Sequence, residues 1–169
     1  WGGALVDDLA SRVGAPVLVD LPGHGSRAGE RDPEGFTLER AWELIEEALP
    51  EPAPLVGYSM GGRLGLSYAV EHPERVSALV LESASPGLLT AEERARRRTS
   101  DEELARRLEQ DGTETFVDTW EELPLFASQK ALPEEDRARQ RALRLSNDPH
   151  SLASSLRGLG TGALPSYWE

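Results

Sequence analysis

The sequence contains no cysteine, and Lys130 is the only lysine among its 169 residues. The lack of cysteine excludes a disulfide framework, a thiolate metal site and a cysteine nucleophile. No apolar run approaches the roughly 18 residues that a membrane-spanning helix needs, and no charged-then-apolar signal segment opens the chain. The composition therefore predicts a soluble, cytoplasmic globular protein that does not associate with membranes.

Positive charge and histidine are both scarce. The chain has 18 basic against 30 acidic residues, which gives a formal net charge of −12. A sequence-independent nucleic-acid binder needs a basic surface, so no nucleic-acid partner is expected. The histidines His24, His72 and His150 are scattered along the chain. Because a metal site needs several ligands close together, we expect no metal and no cofactor.

Three short apolar runs have the length and composition of buried strands. Helical patterns lie between them, and the alternation predicts parallel β–α–β units of the α/β class. Thr37 is a candidate N-cap of the second helix. The predicted strands are residues 16–20, 54–58 and 78–82. The predicted helices are residues 2–13, 36–49 and 63–71.

After Pro86 the pattern becomes amphipathic and helical, without strand-like runs. Thr90 followed by Glu93 has the spacing of a capping box, which predicts a helix start. We expect a partial α/β core over residues 1–88, an all-helical cap over residues 89–163 and a return towards the core over residues 164–169. The further predicted cap helices are residues 101–110, 113–122, 133–145 and 151–158.

The segment Gly57-Tyr58-Ser59-Met60-Gly61 matches G-x-S-x-G between an apolar strand and a helix. This context predicts a nucleophile elbow, in which a tight turn strains the serine and exposes its hydroxyl above the sheet. The glycines are expected to be required by the tightness of the turn. The N–H of Met60 would supply half of an oxyanion hole. The alternative is a glycine-rich turn with an incidental serine.

The loop Asp20-Leu21-Pro22-Gly23-His24-Gly25-Ser26 precedes this elbow, and the sequence thereby resembles the α/β-hydrolase superfamily. The resemblance implies an α/β-hydrolase fold with a partial parallel sheet, and it makes His24 a residue that orders its loop. The superfamily's triad runs serine, acid, histidine. His72 ends a helix and is expected to face solvent, whereas His150 lies in a cap turn, so neither follows a strand. We therefore expect a chain truncated at both ends, without its triad acid and histidine.

A second series of motifs is more specific. It comprises S-x-G-G-R at residues 59–63, S-P-G-L at 85–88, A-E-E-R at 91–94, P-L-F at 124–126 and G-T-G at 160–162. Together they resemble the 2-succinyl-6-hydroxy-2,4-cyclohexadiene-1-carboxylate synthase family of menaquinone biosynthesis, over essentially the whole chain. The resemblance implies a lyase that removes a ring proton and expels pyruvate, with the triad serine as base. The alternatives are a hydrolase of an ester or C–C bond in a carboxylated substrate, and an inactive fragment.

The same resemblance assigns roles to individual residues. Ser59 is the base, Met60 belongs to the oxyanion hole, and the substrate is a small polycarboxylate. Arg94 and Arg98 are neighbouring alternatives to Arg97, as Arg141 is to Arg144. A polyanion bound by a protein of net charge −12 needs local arginine forks. The isolated 169-residue chain is expected to be inactive. The substrate-binding residues implied are Tyr58, Arg63, Arg97, Trp120 and Arg144.

Overall fold

The computed structural model describes residues 4–49 and 51–168. The outer residues of the predicted helix 2–13 and of the predicted return 164–169 therefore lie partly outside the described residues. The elements, in chain order, are α1 (Ala4–Val13), α2 (Leu38–Ala48), β1 (Ala53–Tyr58), α3 (Ser59–Glu71), β2 (Val76–Glu82), α4 (Ala91–Glu121), α5 (Glu134–Leu145) and α6 (Pro149–Leu159). Short 3-10 helices lie at Gly25–Arg27, Pro33–Gly35, Pro73–Arg75 and Pro124–Ala131.

The strands β1 and β2 pair in parallel, and α3 connects them. The register runs from Ala53 beside Val76 to Tyr58 beside Glu82, with an irregularity after Ala53. Parallel strands cannot be joined by a hairpin, so the helix supplies the necessary crossover. The predicted strands 54–58 and 78–82 and the β–α–β unit are thus confirmed.

The prediction of a strand at residues 16–20 is wrong. This segment forms no strand and pairs with no other part of the described chain. Val17 and Leu18 are 71% and 51% exposed, and only Val19 packs against a core cluster. An apolar run reports a preference for burial, whereas a strand also requires a hydrogen-bonding partner beside it.

The two observed strands are less buried than their sequences predict. Val56 of β1 and Val80 of β2 are 44% and 55% exposed. Parallel sheets normally carry helices on both faces, which is why such strands are apolar throughout. In the described residues α3 packs on both strands, while these two side chains face away from any covering element.

A first core cluster joins α2, α3 and the start of the sheet. Ile45, Leu49 and Tyr68 are buried together, and Val19 and Leu55 pack on them. The predicted N-cap of α2 is confirmed, because the Thr37 hydroxyl accepts a hydrogen bond from the Arg40 N–H at 3.2 Å. The helix begins at Leu38, two residues after the predicted start. α3 begins at Ser59, four residues before the predicted start.

After Pro86 the described residues contain helices and no strand, as the all-helical pattern predicts. Thr90 and Glu93 form a complete capping box, with the Glu93 N–H donating to the threonine hydroxyl at 3.1 Å and Glu93 Oε2 accepting from the Thr90 N–H at 2.9 Å. The expected separate helix 101–110 is wrong: α4 runs from Ala91 to Glu121. Arginine is a good helix former, so the arginine-rich segment before residue 101 continues the helix. The break falls at Gly112, with φ 79° and ψ 171°.

α4 and α6 pack through a second cluster of Ala105, Leu108 and Ala153, all fully buried. The chain that leaves the cap runs beside the chain that enters it. The Tyr167 N–H donates to the Pro86 carbonyl at 2.7 Å, and the Trp168 indole N–H donates to the Gly87 carbonyl at 2.8 Å. Within the described ranges, no helix combines the length and the apolar character required to cross a bilayer.

Candidate active site

Ser59 stands at the junction of β1 and α3 with a strained backbone. Its φ is +49°, a left-handed value that non-glycine residues rarely adopt and that recurs at functional sites. The strand, the strained serine and the helix follow one another as the elbow pattern predicts. Ser59 is half-buried, and its hydroxyl has no hydrogen-bond partner among the described residues.

The close packing of the elbow rests on Gly57 and Gly62. A Cβ at Gly57 would lie 2.5 Å from the Gly62 Cα, and a Cβ at Gly62 would lie 2.5 Å from the Ala84 Cβ and 2.9 Å from the Gly57 carbonyl oxygen. A Cβ at Gly61 would meet nothing within 4 Å. The expectation that the turn's tightness requires Gly61 is therefore wrong, because the crowding falls on the next residue.

The side chain of Met60 anchors the elbow to the core and to α6. Its side chain packs against a third core cluster, which includes Ala41 and Leu64, and its sulfur lies 3.9 Å from the Ser155 hydroxyl of α6. This packing fixes the peptide that carries the Met60 N–H. Its role in an oxyanion hole remains a prediction. Tyr58, the last residue of β1, is 43% exposed beside the elbow.

A second strained serine lies next to Ser59. Tyr58 pairs with Glu82, so Ser59 and Ser83 follow the ends of adjacent parallel strands. Ser83 has φ +51° and is exposed. Sequence reasoning missed it, because nothing in a serine's surroundings in sequence signals a left-handed backbone.

The loop before α2 is held by its own side chains. Asp20 accepts hydrogen bonds from the Ser26 N–H at 2.9 Å and the Ser26 hydroxyl at 2.8 Å, and these bonds lower the pKa of its carboxyl. Gly25, with φ +58°, leaves the space that the carboxylate fills. His24 Nδ1 lies 3.0 Å from the Pro22 carbonyl, and burial lowers the pKa of the imidazole. His24 thus contacts its own loop, as the resemblance implies.

The other two histidines form no hydrogen bond with Ser59 among the described residues. His72 is half-buried, with its ring 5.6 Å from that of Trp42 and 4.8 Å from that of Tyr68, so the expectation that it faces solvent is wrong. Its neighbours in α2 and α3 are aromatic, which sequence position alone does not reveal. His150 is exposed in the first turn of α6. Within the described chain, no three histidine or carboxylate side chains converge as a metal site.

Arg63 lies half-buried one turn after Ser59, without an ion-pair partner among the described residues. Its Nε is buried without a hydrogen-bond partner, and the guanidinium forms no ion pair with any described residue. Burial lowers the pKa of Arg63, the positive charge of Arg97 lowers it further, and Asp101 opposes the shift. Buried charges are ordinarily paired, so this arrangement favours an anionic ligand.

The structure distinguishes the three candidate arginines at the start of α4. Arg94 donates to the Leu88 carbonyl at 2.8 Å, and Arg98 donates to the Gly162 carbonyl at 2.9 Å. Both therefore tie the cap to its own backbone. Arg97 instead pairs with Asp101 through Nε and lies within electrostatic reach of Arg63. Of the three, Arg97 is the one available to a ligand beside Arg63.

Trp120 and Arg144 belong to a separate group inside the cap. The Trp120 ring stacks on that of Phe116, with 5.2 Å between the ring centroids, and its centroid lies 5.4 Å from that of Phe126. The Arg144 guanidinium carbon lies over the Phe126 ring, 5.8 Å from its centroid. Arg144 donates to Glu121 at 2.7 Å. Phe126, Glu121 and Arg144 line a cavity of about 430 Å³, of whose wall Trp120 is not a part.

The alternative Arg141 shares Glu121 with Arg144, at 2.9 Å, and also binds Asp118 at 2.5 Å. Arg144 is therefore the less heavily neutralised of the two. In the described residues, neither Trp120 nor Arg144 has a hydrogen bond, ion pair or ring contact with Ser59. The structure thus places Arg63 one turn after the elbow serine and Arg97 within electrostatic reach of Arg63. Trp120 and Arg144 belong to a second group.

Comparison with known proteins places this geometry in a family. The model of the α/β-hydrolase fold matches residues 1–156. The chain belongs to the α/β-hydrolase fold family. The elbow, the β–α–β unit and the helical cap are the parts of that fold that the described residues contain.

Individual relatives of this α/β-hydrolase fold chain carry a narrower name. A Bacillus subtilis protein, provisionally named 2-succinyl-6-hydroxy-2,4-cyclohexadiene-1-carboxylate synthase, is 44% identical over 157 residues, covering 90% of this chain and 57% of that protein. The synthase of that name from Escherichia coli O1:K1 is 32% identical over 156 residues, covering 88% and 58%. The structure of MenH from S. aureus matches with a TM-score of 0.78 and 39% identity, covering 88% and 57%. The chain thus spans somewhat over half the length of these relatives.

Proposed function

We propose that the protein containing this chain is a carbon–oxygen lyase of menaquinone biosynthesis. It would form 2-succinyl-6-hydroxy-2,4-cyclohexadiene-1-carboxylate by eliminating pyruvate from a succinylated carboxycyclohexene. The observation that carries the proposal is the unpaired guanidinium of Arg63, one turn after the elbow serine and within reach of Arg97. The synthase name of the 44% identical relative supports it.

Two guanidiniums suit the charge of such a substrate. The product named for the relatives carries a ring carboxylate and the terminal carboxylate of its succinyl group. Arginine binds carboxylates through paired, charge-assisted hydrogen bonds. Because the chain has a net charge of −12, its overall field repels a polyanion, so the attraction must come from groups at the site itself. Arg63 and Arg97 are such groups. The proposed partner is therefore a small polycarboxylate.

In the proposed reaction Ser59 acts as a base. Its hydroxyl proton passes to a histidine, and the alkoxide removes a proton from the substrate ring. The electrons of that C–H bond form the new ring double bond, while the C–O bond to the pyruvyl group breaks. That group leaves as an enolate, which takes up a proton to become pyruvate. The Met60 N–H and the N-terminus of α3 would stabilise the negative charge that develops on the substrate carbonyl.

Three further assignments accompany this proposal. Tyr58 beside the elbow, and Trp120 and Arg144 in the cap, would line the substrate path. The core would comprise residues 1–88, the cap residues 89–163 and the return residues 164–169. We place the protein in the cytoplasm, since a sequence without cysteine suits a reducing compartment.

The proposal is tested by offering the full-length protein two substrates, the menaquinone precursor and a nitrophenyl ester, and measuring pyruvate and nitrophenol release. We expect pyruvate release with negligible ester cleavage. Arg63→Ala should reduce kcat/KM for the precursor by about 10- to 100-fold, because hydrogen bonds to charged groups contribute about 1.5–3 kcal/mol. Arg96→Ala is the matched control, since Arg96 is exposed and pairs with Glu92 at 3.2 Å. Efficient ester cleavage without pyruvate would establish a hydrolase instead.

A further inference from the structure

On the basis of this function, we propose that Asp101 is a positioning residue for substrate binding. Its buried carboxylate fixes the Nε of Arg97, so that the two terminal nitrogens of Arg97 are left for the carboxylate that Arg63 also attracts. Asp101 itself would not touch the substrate.

The contact between the two side chains has the geometry this role requires. Arg97 Nε donates to Asp101 Oδ1 at 2.7 Å, across one turn of α4. The terminal nitrogens of Arg97 form no hydrogen bond with any described residue. The Arg97 side chain is 44% exposed, whereas that of Asp101 is 4% exposed. One end of the guanidinium is thus anchored in the interior, while the other end reaches an accessible space.

This pair differs from the surface pairs along the same helix. The side chains of Arg96 and Glu92 are 70% and 79% exposed at the same four-residue spacing. Such exposed pairs contribute little and leave both partners mobile. Of the four side chains in these two pairs, only that of Asp101 is held in place by burial. An ordinary helix-surface role therefore does not account for its place.

The place of Asp101 is also unfavourable for stability. It lies in the buried stripe of α4, one turn before Ala105, where an apolar side chain would pack without desolvating a charge. Its Oδ2 is buried and has no hydrogen-bond partner. A Cβ at Gly160 would lie 2.7 Å from this oxygen, so the absence of a side chain at Gly160 is what makes room for the carboxylate.

Asp101 also bears on the electrostatics of the site. Arg63 and Arg97 repel each other, and the pKa of Arg63 is lowered in part for that reason. One carboxylate beside two guanidiniums leaves a net charge of +1, which still attracts an anion. Removing the carboxylate therefore has two opposed effects: the positive field grows, while Arg97 loses its anchor. If Asp101 acts by positioning Arg97, the loss of the anchor outweighs the gain in positive field, and substrate binding weakens.

The test compares Asp101→Asn and Asp101→Leu with Glu102→Gln in the full-length protein. Glu102 is the matched control, because it is the adjacent carboxylate but pairs with Arg106 and Arg157, and with neither Arg63 nor Arg97. We expect both Asp101 variants to raise KM for the precursor about tenfold, as loss of a charge-assisted hydrogen bond would. The kcat should change less than about threefold by the same reasoning. Glu102→Gln should leave KM unchanged, and melting temperatures should show that all the variants fold.

Two further measurements do not depend on turnover. The Nε–H resonance of Arg97, assigned with Arg97→Lys, should exchange slowly with water in the wild type and rapidly in both Asp101 variants. The dissociation constant of phthalate, a dianion used as a probe, should rise in parallel with KM. If the protein releases no pyruvate, the proposed function fails, and the phthalate constants alone decide the role of Asp101.

Three results would overturn the role of Asp101. The first is a KM and a phthalate dissociation constant that are unchanged or lower in both Asp101 variants. This would mean that the stronger positive field outweighs the loss of the Arg97–Asp101 contact. The second is an Arg97 Nε–H resonance unaffected by either substitution. The third is a wild-type protein that does not bind phthalate, since the arginine pair would then not be a carboxylate site.

Discussion

Replacing Gly62 by alanine tests the close packing of the elbow. The added methyl would lie 2.5 Å from the Ala84 Cβ and 2.9 Å from the Gly57 carbonyl oxygen. Carbon atoms ordinarily approach to about 3.5–4.0 Å, so the contact with Ala84 is short by about 1 Å. The second contact is with the backbone of β1, which cannot yield without moving Ser59.

The expected free-energy change has two parts. Overpacking of this kind costs about 1–3 kcal/mol. Alanine in a helix is favoured over glycine by at most about 1 kcal/mol. Gly61→Ala gains the same preference without the clash, because its Cβ would meet nothing within 4 Å. The difference in free energy of unfolding between Gly61→Ala and Gly62→Ala therefore gives the steric cost alone, about 1–3 kcal/mol.

The assay is thermal unfolding of both variants in the full-length protein. A domain of 150–250 residues shifts by about 2–4 °C for each kcal/mol, so Gly62→Ala should melt measurably below Gly61→Ala. It should also lose activity, because the displaced strand end carries the serine. Equal melting temperatures for the two variants would refute the reasoning, since the sequence places both glycines in the same turn of α3.

Two other outcomes follow from the cap. Leu108→Ala should lower the free energy of unfolding by about 2–5 kcal/mol in a urea titration, because Leu108 is fully buried between α4 and α6; a smaller loss would mean that the helices close the cavity. The side chains of Arg157 and Arg106 lower the pKa of Glu102 to about 2 from 4.5. Its contribution to stability should therefore be present above about pH 4.5 and disappear as the pH falls towards 2. The difference in urea midpoint between the wild type and Glu102→Gln should close over that range, and a constant difference would contradict the assignment.

The elbow and the N-caps of α2 and α4 could be predicted because their signals are local. The strand 54–58, the strained Ser59 and the capping box at Thr90 each depend on residues adjacent in sequence. The resemblance added Arg63 and Arg97, and the structure separated Arg97 from Arg94 and Arg98 by what each guanidinium contacts.

Features that depend on a partner distant in sequence could not be predicted. Residues 16–20 are apolar enough for a strand, yet no neighbouring strand pairs with them in the described chain. The position of His72 at a helix end predicts solvent exposure, but Trp42 from another helix packs against it. The sequence does not single out Asp101 among the acidic residues of its helix, because its burial depends on the approach of Gly160, 59 residues later in the chain.

The most direct test of the central claim is pyruvate release from the precursor by wild-type protein and by Ser59→Ala, with Ser100→Ala, an exposed serine of α4, as control. We expect Ser59→Ala to reduce kcat by about 10²–10⁴-fold or more, as loss of a general base does, with an unchanged melting temperature. Ser100→Ala should behave as wild type. Pyruvate release by Ser59→Ala at close to the wild-type rate would show that the elbow serine is not the base.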